Sequence, residues 1–338
     1  MRILIADSVG AGAVIGSQLA GARRDVTFLD HARRVTAEMF KPLEVRGERG
    51  TFRQYMRHIE DAEVWDAYDV VIVSVQAHEV SGLMAGLARA AGPQTIMLSL
   101  VPGLDPVTRL KAACPCALVL DGLHDLVVTR NDAGAVIQLG MSNRILIGAA
   151  SSAEGDAAHQ IAALFKNTAL DVEIIVDAEK RRWEHLVRVV GLVGLAALMQ
   201  VNLEEIGAID VNYTHLWSFV QEAATVAISA GQKIDVADLA LFMEELPGSV
   251  PLSLHAMLDD VAKGELSAVT ELVHQMHRFA RRVSVPTPVL DLAYSTLLIR
   301  SAAAGNRCTD TRAPRPQAPP RREGWFSRPW RVRSAGDR

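Results

Sequence analysis

The fold is decided by the beginning of the chain, where Met1-Arg-Ile-Leu-Ile-Ala6 runs into Asp7-Ser-Val-Gly-Ala-Gly-Ala-Val-Ile-Gly16. The apolar run up to Ala6 is typical of a buried strand, and the glycines after it open a helical stretch. A Rossmann fold binds a diphosphate at such a strand, loop and helix, because bare backbone allows close approach and a helix N-terminus favours anions. We therefore expect a nucleotide-binding α/β domain to begin at Met1.

The glycines do not form the usual GxGxxG motif. One interpretation takes Gly10, Gly12 and Gly16 as a loosened GxGxxxG, with the strand prolonged by a few residues and the helix starting later. The other interpretation keeps the usual spacing to the second strand, so that Asp7 and Val9 occupy two of the glycine positions. Val9 would then crowd a diphosphate and Asp7 would repel it, which predicts weak binding.

The second predicted strand is followed by Asp30. An acidic residue at this position accepts hydrogen bonds from the adenosine ribose and selects NAD, whereas a nearby arginine favours NADP. Arg33 and Arg34 follow closely, and Asp30 could equally cap the next helix. The choice between NAD, NADP and no cofactor stays open.

Short strand-like runs alternate with helical stretches in the first half, which indicates parallel βαβ units. The predicted strands cover residues 2–6, 25–29, 70–74, 95–99, 117–120, 125–129, 135–139, 144–147 and 172–176, and a helix covers 153–165. Gly134 supplies a hairpin turn between 125–129 and 135–139. The prediction is a Rossmann-like α/β domain over residues 1–177.

Strand patterns vanish from residue 178, and helical spacing dominates over 181–203, 216–230 and 268–283. We expect an all-helical domain over 178–304. Its apolar stretch 187–201 is too short to span a bilayer and predicts a buried core helix. The end of the chain, 305–338, is rich in Arg and Pro and poor in aliphatic side chains, which predicts a disordered tail.

Length and composition restrict the class of protein. The chain has 338 residues, which suggests two domains, and its formal charge of −4 gives no attraction to nucleic acid or anionic lipid. Cys114, Cys116 and Cys308 lack metal-ligand spacing, which predicts a reduced, cytoplasmic protein without a cysteine metal site. His274 and His277 share a helix face at metal-binding spacing, yet the sequence offers no third ligand. A small-molecule partner is expected.

Segments of the second half resemble the ketopantoate reductase family, whose members reduce a 2-oxo acid with NADPH. They are Met257-Leu-Asp-Asp-Val-Ala-Lys-Gly264 followed by Val285-Pro-Thr-Pro288, Glu222-Ala-Ala-Thr-Val-Ala-Ile-Ser-Ala-Gly231, and Trp183-Glu-His-Leu186. The resemblance covers residues 1–304. It implies a Rossmann-like domain followed by a helical domain of the 6-phosphogluconate dehydrogenase-like type, and a homodimer formed through the helical domain.

The resemblance also locates departures from the family's active site. The family's catalytic lysine falls on His185, its substrate-contacting glutamate on Ala268, and its lysine after the third strand on Gln76. Gln76 is therefore expected to contact the cofactor. Other polar family positions fall on Pro102, Val189, Val193 and Ala256. These replacements imply that ketopantoate is not the substrate.

Reducing a carbonyl requires a hydride donor and a group that protonates the developing alkoxide. His185 could be this acid, with a pKa near the ordinary value of about 6.5 unless the cleft shifts it, or could belong with Arg181, Arg182 and Glu184 to a solvated helix face. Glu271 lies one turn beyond Ala268 and could point into the same cleft.

Two functions remain open from the sequence. One is an NAD(P)H-dependent reductase acting on a carbonyl or imine other than ketopantoate. The other is a non-redox enzyme or ligand-binding protein on the same fold, with a decayed dinucleotide site.

Overall fold

A computed structural model of the chain describes residues 1–30, 39–60, 63–131, 133–200, 210–244, 257, 258, 261 and 266–303. The predicted NADP-selecting Arg33 and Arg34, the matched position Ala256 and the predicted tail lie outside these residues.

The first domain is built on one mixed sheet. Its strands are β1 Arg2–Ala6, β2 Asp25–Asp30, β3 Phe40–Gly47, β4 Gly50–Glu60, β5 Val70–Val73, β6 Ile96–Ser99, β7 Leu118–His124, β8 Val127–Arg130, β9 Val136–Leu139, β10 Arg144–Gly148 and β11 Asp171–Ile175. Their order in the sheet is β11-β10-β7-β6-β5-β1-β2-β4-β3-β9-β8. The central strands β2, β1, β5, β6 and β7 are parallel, which confirms the predicted βαβ units.

Helices cover both faces of this sheet. They are α1 Ala11–Gly21, α2 Val80–Ala90, α3 Asp105–Ala113 and α4 Ser152–Leu164. The side chains of β1 alternate between the two faces, with Ile3 and Ile5 packing towards α1 and α4, and Leu4 and Ala6 towards α2 and α3. Burial of both faces explains why the strand reads as a continuous apolar run.

Strand order reverses at β1, which lies between β2 and β5. In open parallel sheets a crevice for ligands forms at the carboxyl ends of the strands on either side of such a reversal. The loop after β1 is therefore at the position where this fold binds ligands.

The antiparallel hairpin of β3 and β4 has no counterpart among the predicted strands. Most side chains of β4 are at least partly exposed, and its residues Arg53 and Gln54 interrupt any apolar run. A strand of this kind lacks the hydrophobic pattern on which strand prediction depends.

The second domain is helical. It contains α5 Ala178–Met199, α6 Asp210–Ser229, α7 Val236–Glu244, α8 Ser267–Arg282 and α9 Pro288–Ala303. α5 is the central helix and packs against α6, α8 and α9. It includes most of the predicted apolar core stretch, which is buried on nearly all sides. Within the described part of the chain, no helix is both long enough and apolar enough to cross a membrane.

Candidate functional site

The loop between β1 and α1 has the backbone expected from the usual motif spacing. β1 ends at Ala6, and α1 begins at Ala11 with Gly10 as its N-cap. The alternative of a prolonged strand and a later helix is therefore wrong. Asp7 has a φ of 142°, a conformation that favours glycine, which agrees with its standing at the first glycine position of the motif.

The Asp7 side chain fills the N-terminus of α1. Its Oδ1 accepts backbone N–H groups of Val9 at 3.0 Å and Gly10 at 2.7 Å, and its Oδ2 accepts that of Gly12 at 3.1 Å. Ser74 Oγ lies 3.5 Å from the same Oδ2. Backbone N–H groups at this end of a helix are the donors that a ligand phosphate would use. The chain's own carboxylate therefore occupies the anion site of the fold.

Burial raises the pKa of the Asp7 carboxyl, although the three backbone hydrogen bonds oppose that shift. Burying a charge is unfavourable without compensation, and here the compensation comes from N–H dipoles rather than from a cation. A second anion brought to the same donors would meet both the carboxylate charge and donors that are already used.

Two of the loop glycines are required by packing. A Cβ at Gly12 would lie 2.4 Å from the Asp7 carbonyl oxygen and 2.6 Å from Ser74 Oγ, and a Cβ at Gly16 would lie 2.3 Å from Phe28 Cζ. Any side chain at either position would push α1 away from the sheet. Close helix-to-strand packing therefore explains why glycine stands at both positions, with or without a ligand.

Asp30 is buried at the end of β2. Its Oδ2 lies 3.1 Å from Lys41 Nζ and 3.0 Å from His58 Nδ1. Burial alone would raise the pKa of Asp30, but hydrogen bonds with His58, Ser8 and Lys41 outweigh it and lower the pKa to about 2. The carboxylate is thus ionised at neutral pH.

Two cavities meet at the carboxyl ends of the strands. The first, of about 310 Å³, lies over the loop and is lined by Asp7, Val9 and Gly10. The second, of about 280 Å³, lies between the two domains and is lined by His185, Glu271 and Val189. Both cavities include Gln76, Pro102, His124, Leu126 and Val128 in their walls. Of the predicted site residues, His185 and Glu271 line the second cavity, Gly10 lines the first and Gln76 lines both, whereas Gly12, Gly16 and Asp30 line neither.

His185 lies on the second turn of α5 and exposes its ring to the cavity. Burial within the protein, followed by the positive charges of Arg182 and Arg188, lowers the pKa of His185 to about 4. The cleft thus shifts the pKa of His185 below its ordinary value, which disfavours the imidazolium ion that a proton donor requires.

Arg182 does not belong to a solvated face, because its side chain is buried against the first domain. Its Nε and Nη2 bind the Asp121 carboxylate, and Nη2 also donates to the Gly122 carbonyl at 2.6 Å. Nη1 donates to the carbonyls of Val101 at 2.6 Å and Gly103 at 2.9 Å. These five contacts use every N–H donor of a guanidinium.

Glu271 faces the cavity from α8. Its Oε1 accepts from Gln275 Nε2 at 3.0 Å, and Gln275 Oε1 in turn accepts the backbone N–H of Leu104 at 2.9 Å. The carboxylate is thereby held in place. Ala268 lies in the first turn of the same helix, at a position whose side chain the structure does not describe.

Sequence reasoning did not identify His124. It ends β7, lines both cavities, and its Nδ1 is buried without a hydrogen-bond partner in the described structure. Burial lowers the pKa of His124 to about 4, and the charges of Arg182 and His185 add to this effect. The sequence did contain a signal, because a polar residue at the carboxyl end of a parallel strand is a candidate site residue. The predicted strand ended at Leu120, four residues too early, so His124 was not recognised as lying at that end.

Two further histidines lie at or near the domains' facing surfaces and in the helical domain. His78 lines the cavity between the domains, just before Glu79, the N-cap of α2. His277 Nδ1 lies 2.8 Å from Asp291 Oδ1. In the residues that the structure describes, no group of three or more His, Cys, Asp or Glu side chains could hold a metal ion.

Comparison with known proteins places the chain among its relatives. The family model "Ketopantoate reductase PanE/ApbA" matches residues 6–152, and "Ketopantoate reductase PanE/ApbA C terminal" matches residues 177–300. An uncharacterized oxidoreductase, YkpB of Bacillus subtilis, is 23% identical over 89% of this chain and 99% of that protein. A 2-dehydropantoate 2-reductase of Halobacterium salinarum is 25% identical over 86% of this chain and 95% of that protein.

The fold is similar to that of D-mandelate dehydrogenase, solved with NADH and anilino(oxo)acetate. The TM-score is 0.77 at 18% identity, over 90% of this chain and all of that one. The two family models together match most of the chain, including the loop after β1 and the helix that holds His185. This protein belongs to the ketopantoate reductase family.

Proposed function

We propose that this protein is an oxidoreductase that transfers hydride between a nicotinamide dinucleotide and an apolar substrate other than ketopantoate. The observation that carries the proposal is the continuity of the two cavities through Gln76, Pro102 and His124. A dinucleotide over the loop after β1 would extend its nicotinamide towards these residues, next to a substrate between the domains. When bound, the nicotinamide would supply the hydride.

The residues of the first cavity fit a dinucleotide only in part. The N-terminus of α1 and the bare backbone at Gly10 suit a diphosphate, but Asp7 holds the donors that a phosphate would need. Binding would require the Asp7 carboxylate to rotate away or to take up a proton. We therefore expect weaker dinucleotide binding than an intact glycine motif gives.

We further propose NAD(H) rather than NADP(H) as the cofactor. Asp30, ionised at neutral pH, would repel the phosphate on the adenosine ribose of NADP, whereas the ribose hydroxyls of NAD can donate hydrogen bonds to a carboxylate. Apolar replacements in the second cavity, including Val189, support a substrate less polar than ketopantoate.

The second candidate is a ligand-binding or non-redox protein, and the Asp7 hydrogen bonds are the observation that favours it. Titration of the purified protein with NADH and NADPH, followed by nicotinamide fluorescence and calorimetry, separates the two candidates. Saturable binding with a preference for NADH supports the oxidoreductase. Absence of binding by either dinucleotide at millimolar concentration would refute it.

A further inference from the structure

The cavity between the domains offers no free cation among its described lining residues. Apart from histidines, its charged side chains are Arg182 and Glu271. Every N–H donor of Arg182 is already used by Asp121 and by backbone carbonyls. Arg188 is not one of the lining residues, and its guanidinium lies 5.4 Å from the ring centroid of Phe242. Among the described lining side chains, therefore, no cation keeps an N–H donor for a substrate carboxylate; the charge of Arg188 reaches His185 only from behind the wall of the cavity.

The charge that does face the cavity is negative. Glu271 makes no ion pair with a described residue, and the hydrogen bond that its Oε1 accepts comes from the uncharged amide of Gln275. The surrounding wall is apolar, with Leu123, Leu186 and Leu272 among its members. A carboxylate in a largely apolar cavity attracts a cation more strongly than it would in water, because the local dielectric constant is lower.

We propose, on the basis of the oxidoreductase function above, that the substrate is an apolar protonated imine rather than a 2-oxo acid. Hydride joins the iminium carbon, and the π electrons of the C=N bond become the lone pair of the product amine. The dinucleotide is left oxidised, and the amine takes up its proton from water. The iminium ion arrives with the proton that a ketone would have to obtain during the reaction.

This chemistry matches the state of the histidines. Ketone reduction requires an acid in the cleft, whereas the surroundings lower the pKa of both His185 and His124 and so disfavour their protonated forms. Reduction of an iminium ion requires a group that stabilises its positive charge, and Glu271 is such a group.

Binding of charged probes tests the proposal without any dinucleotide. Benzamidinium, benzamide and benzoate have nearly the same shape and carry charges of about +1, 0 and −1. Calorimetry on the whole protein should give benzamidinium an affinity at least about 10-fold above that of benzoate, with benzamide between them. Equal affinities, tighter binding of benzoate, or no binding of benzamidinium would each overturn the proposal.

Glu271→Gln provides the site-specific test, because the amide keeps the acceptor for Gln275 and removes the charge. The variant should lose about 10-fold in benzamidinium affinity and leave benzamide unchanged. The matched control is Glu173→Gln, an exposed carboxylate on β11. An equal loss in both variants would mean that net charge, and not this cavity, governs the preference.

Turnover distinguishes this inference from the function on which it rests. NADH consumption should be at least about 100-fold faster, in kcat/KM, with 3,4-dihydroisoquinoline than with phenylglyoxylate. Faster reduction of the 2-oxo acid would refute the imine substrate and leave the oxidoreductase intact. Failure to bind NADH would refute the oxidoreductase. The preference of the cavity for benzamidinium is measured separately by calorimetry and does not depend on that result.

Discussion

Replacing Asp7 should tighten dinucleotide binding, because its carboxylate holds the donors at the N-terminus of α1. A ligand phosphate has to stand beyond that carboxylate, at a separation of roughly 7 Å. With an effective dielectric constant of about 20, one such pair of like charges repels by about 2 kcal/mol. Asp7→Asn, which removes the charge and keeps a side chain of the same shape, should therefore bind NADH about 30-fold more tightly.

Asp7→Gly goes further, because it also frees the N–H groups of Val9, Gly10 and Gly12. Glycine adopts the φ of 142° without strain, so the loop should keep its path. We expect the Gly variant to bind NADH at least about 100-fold more tightly than the wild type. Asp25→Asn, an exposed carboxylate at the start of β2, is the control for net charge and should change nothing.

The pH dependence gives a second measurement of the same effect. Burial raises the pKa of Asp7, and a ligand phosphate beside it would raise that pKa further, so the carboxyl takes up its proton more readily in the complex than in the unliganded protein. Calorimetry with NAD⁺ should therefore show affinity rising as the pH is lowered in the wild type and staying flat in Asp7→Asn. Wild-type and variant proteins that bind NADH equally well would refute the role given to Asp7.

Three further outcomes are expected. His185→Ala should change mainly KM and leave kcat nearly unaltered, without a change in melting temperature, because the ring lines the substrate cavity without supplying a proton, and the wild-type pH–rate profile should show no inflection near pH 6.5, since the pKa of His185 is lowered to about 4. Asp30→Asn should reduce the preference for NADH over NADPH by about 10-fold in fluorescence titrations, and an unchanged ratio would contradict the cofactor assignment. Arg182→Met should lower the free energy of unfolding in urea by about 3–5 kcal/mol, because Asp121 would be left as a half-buried charge without its partner.

Sequence patterns predicted the parallel core of the sheet and the central helix because both are decided by apolar periodicity. The side chains of Ile3 and Leu4 point to opposite faces of the sheet. Helices cover both faces, so every residue of this part of the strand is apolar. The hairpin of β3 and β4 is largely exposed and carried no such signal. Apolar patterns therefore could not predict this hairpin.

The sequence indicated where the site lies better than it indicated the chemical state of the residues in it. The resemblance to the family suggested His185 and helical spacing suggested Glu271 for one cleft, and both line the same cavity in the structure. The backbone donors to Asp7, the burial of Arg182 and the pKa of His185 depend on contacts between distant segments. Neighbouring charged residues on a predicted helix suggest a solvent-exposed face. Arg182 is instead buried by its contact with Asp121, which lies 61 residues earlier in the chain and which local sequence patterns do not reveal.

The buried guanidinium of Arg182 has a consequence for how substrates reach the cleft. It joins the first turns of α5 to the loop at Val101 and Gly103, and Gln275 ties α8 to the same loop through Leu104. Rotating one domain against the other at this point would strip a charged group of all its partners. A ligand that required the two domains to separate here would have to break these hydrogen bonds and leave the guanidinium charge unpaired. The cleft should therefore accept ligands by local side-chain movement rather than by separation of the domains.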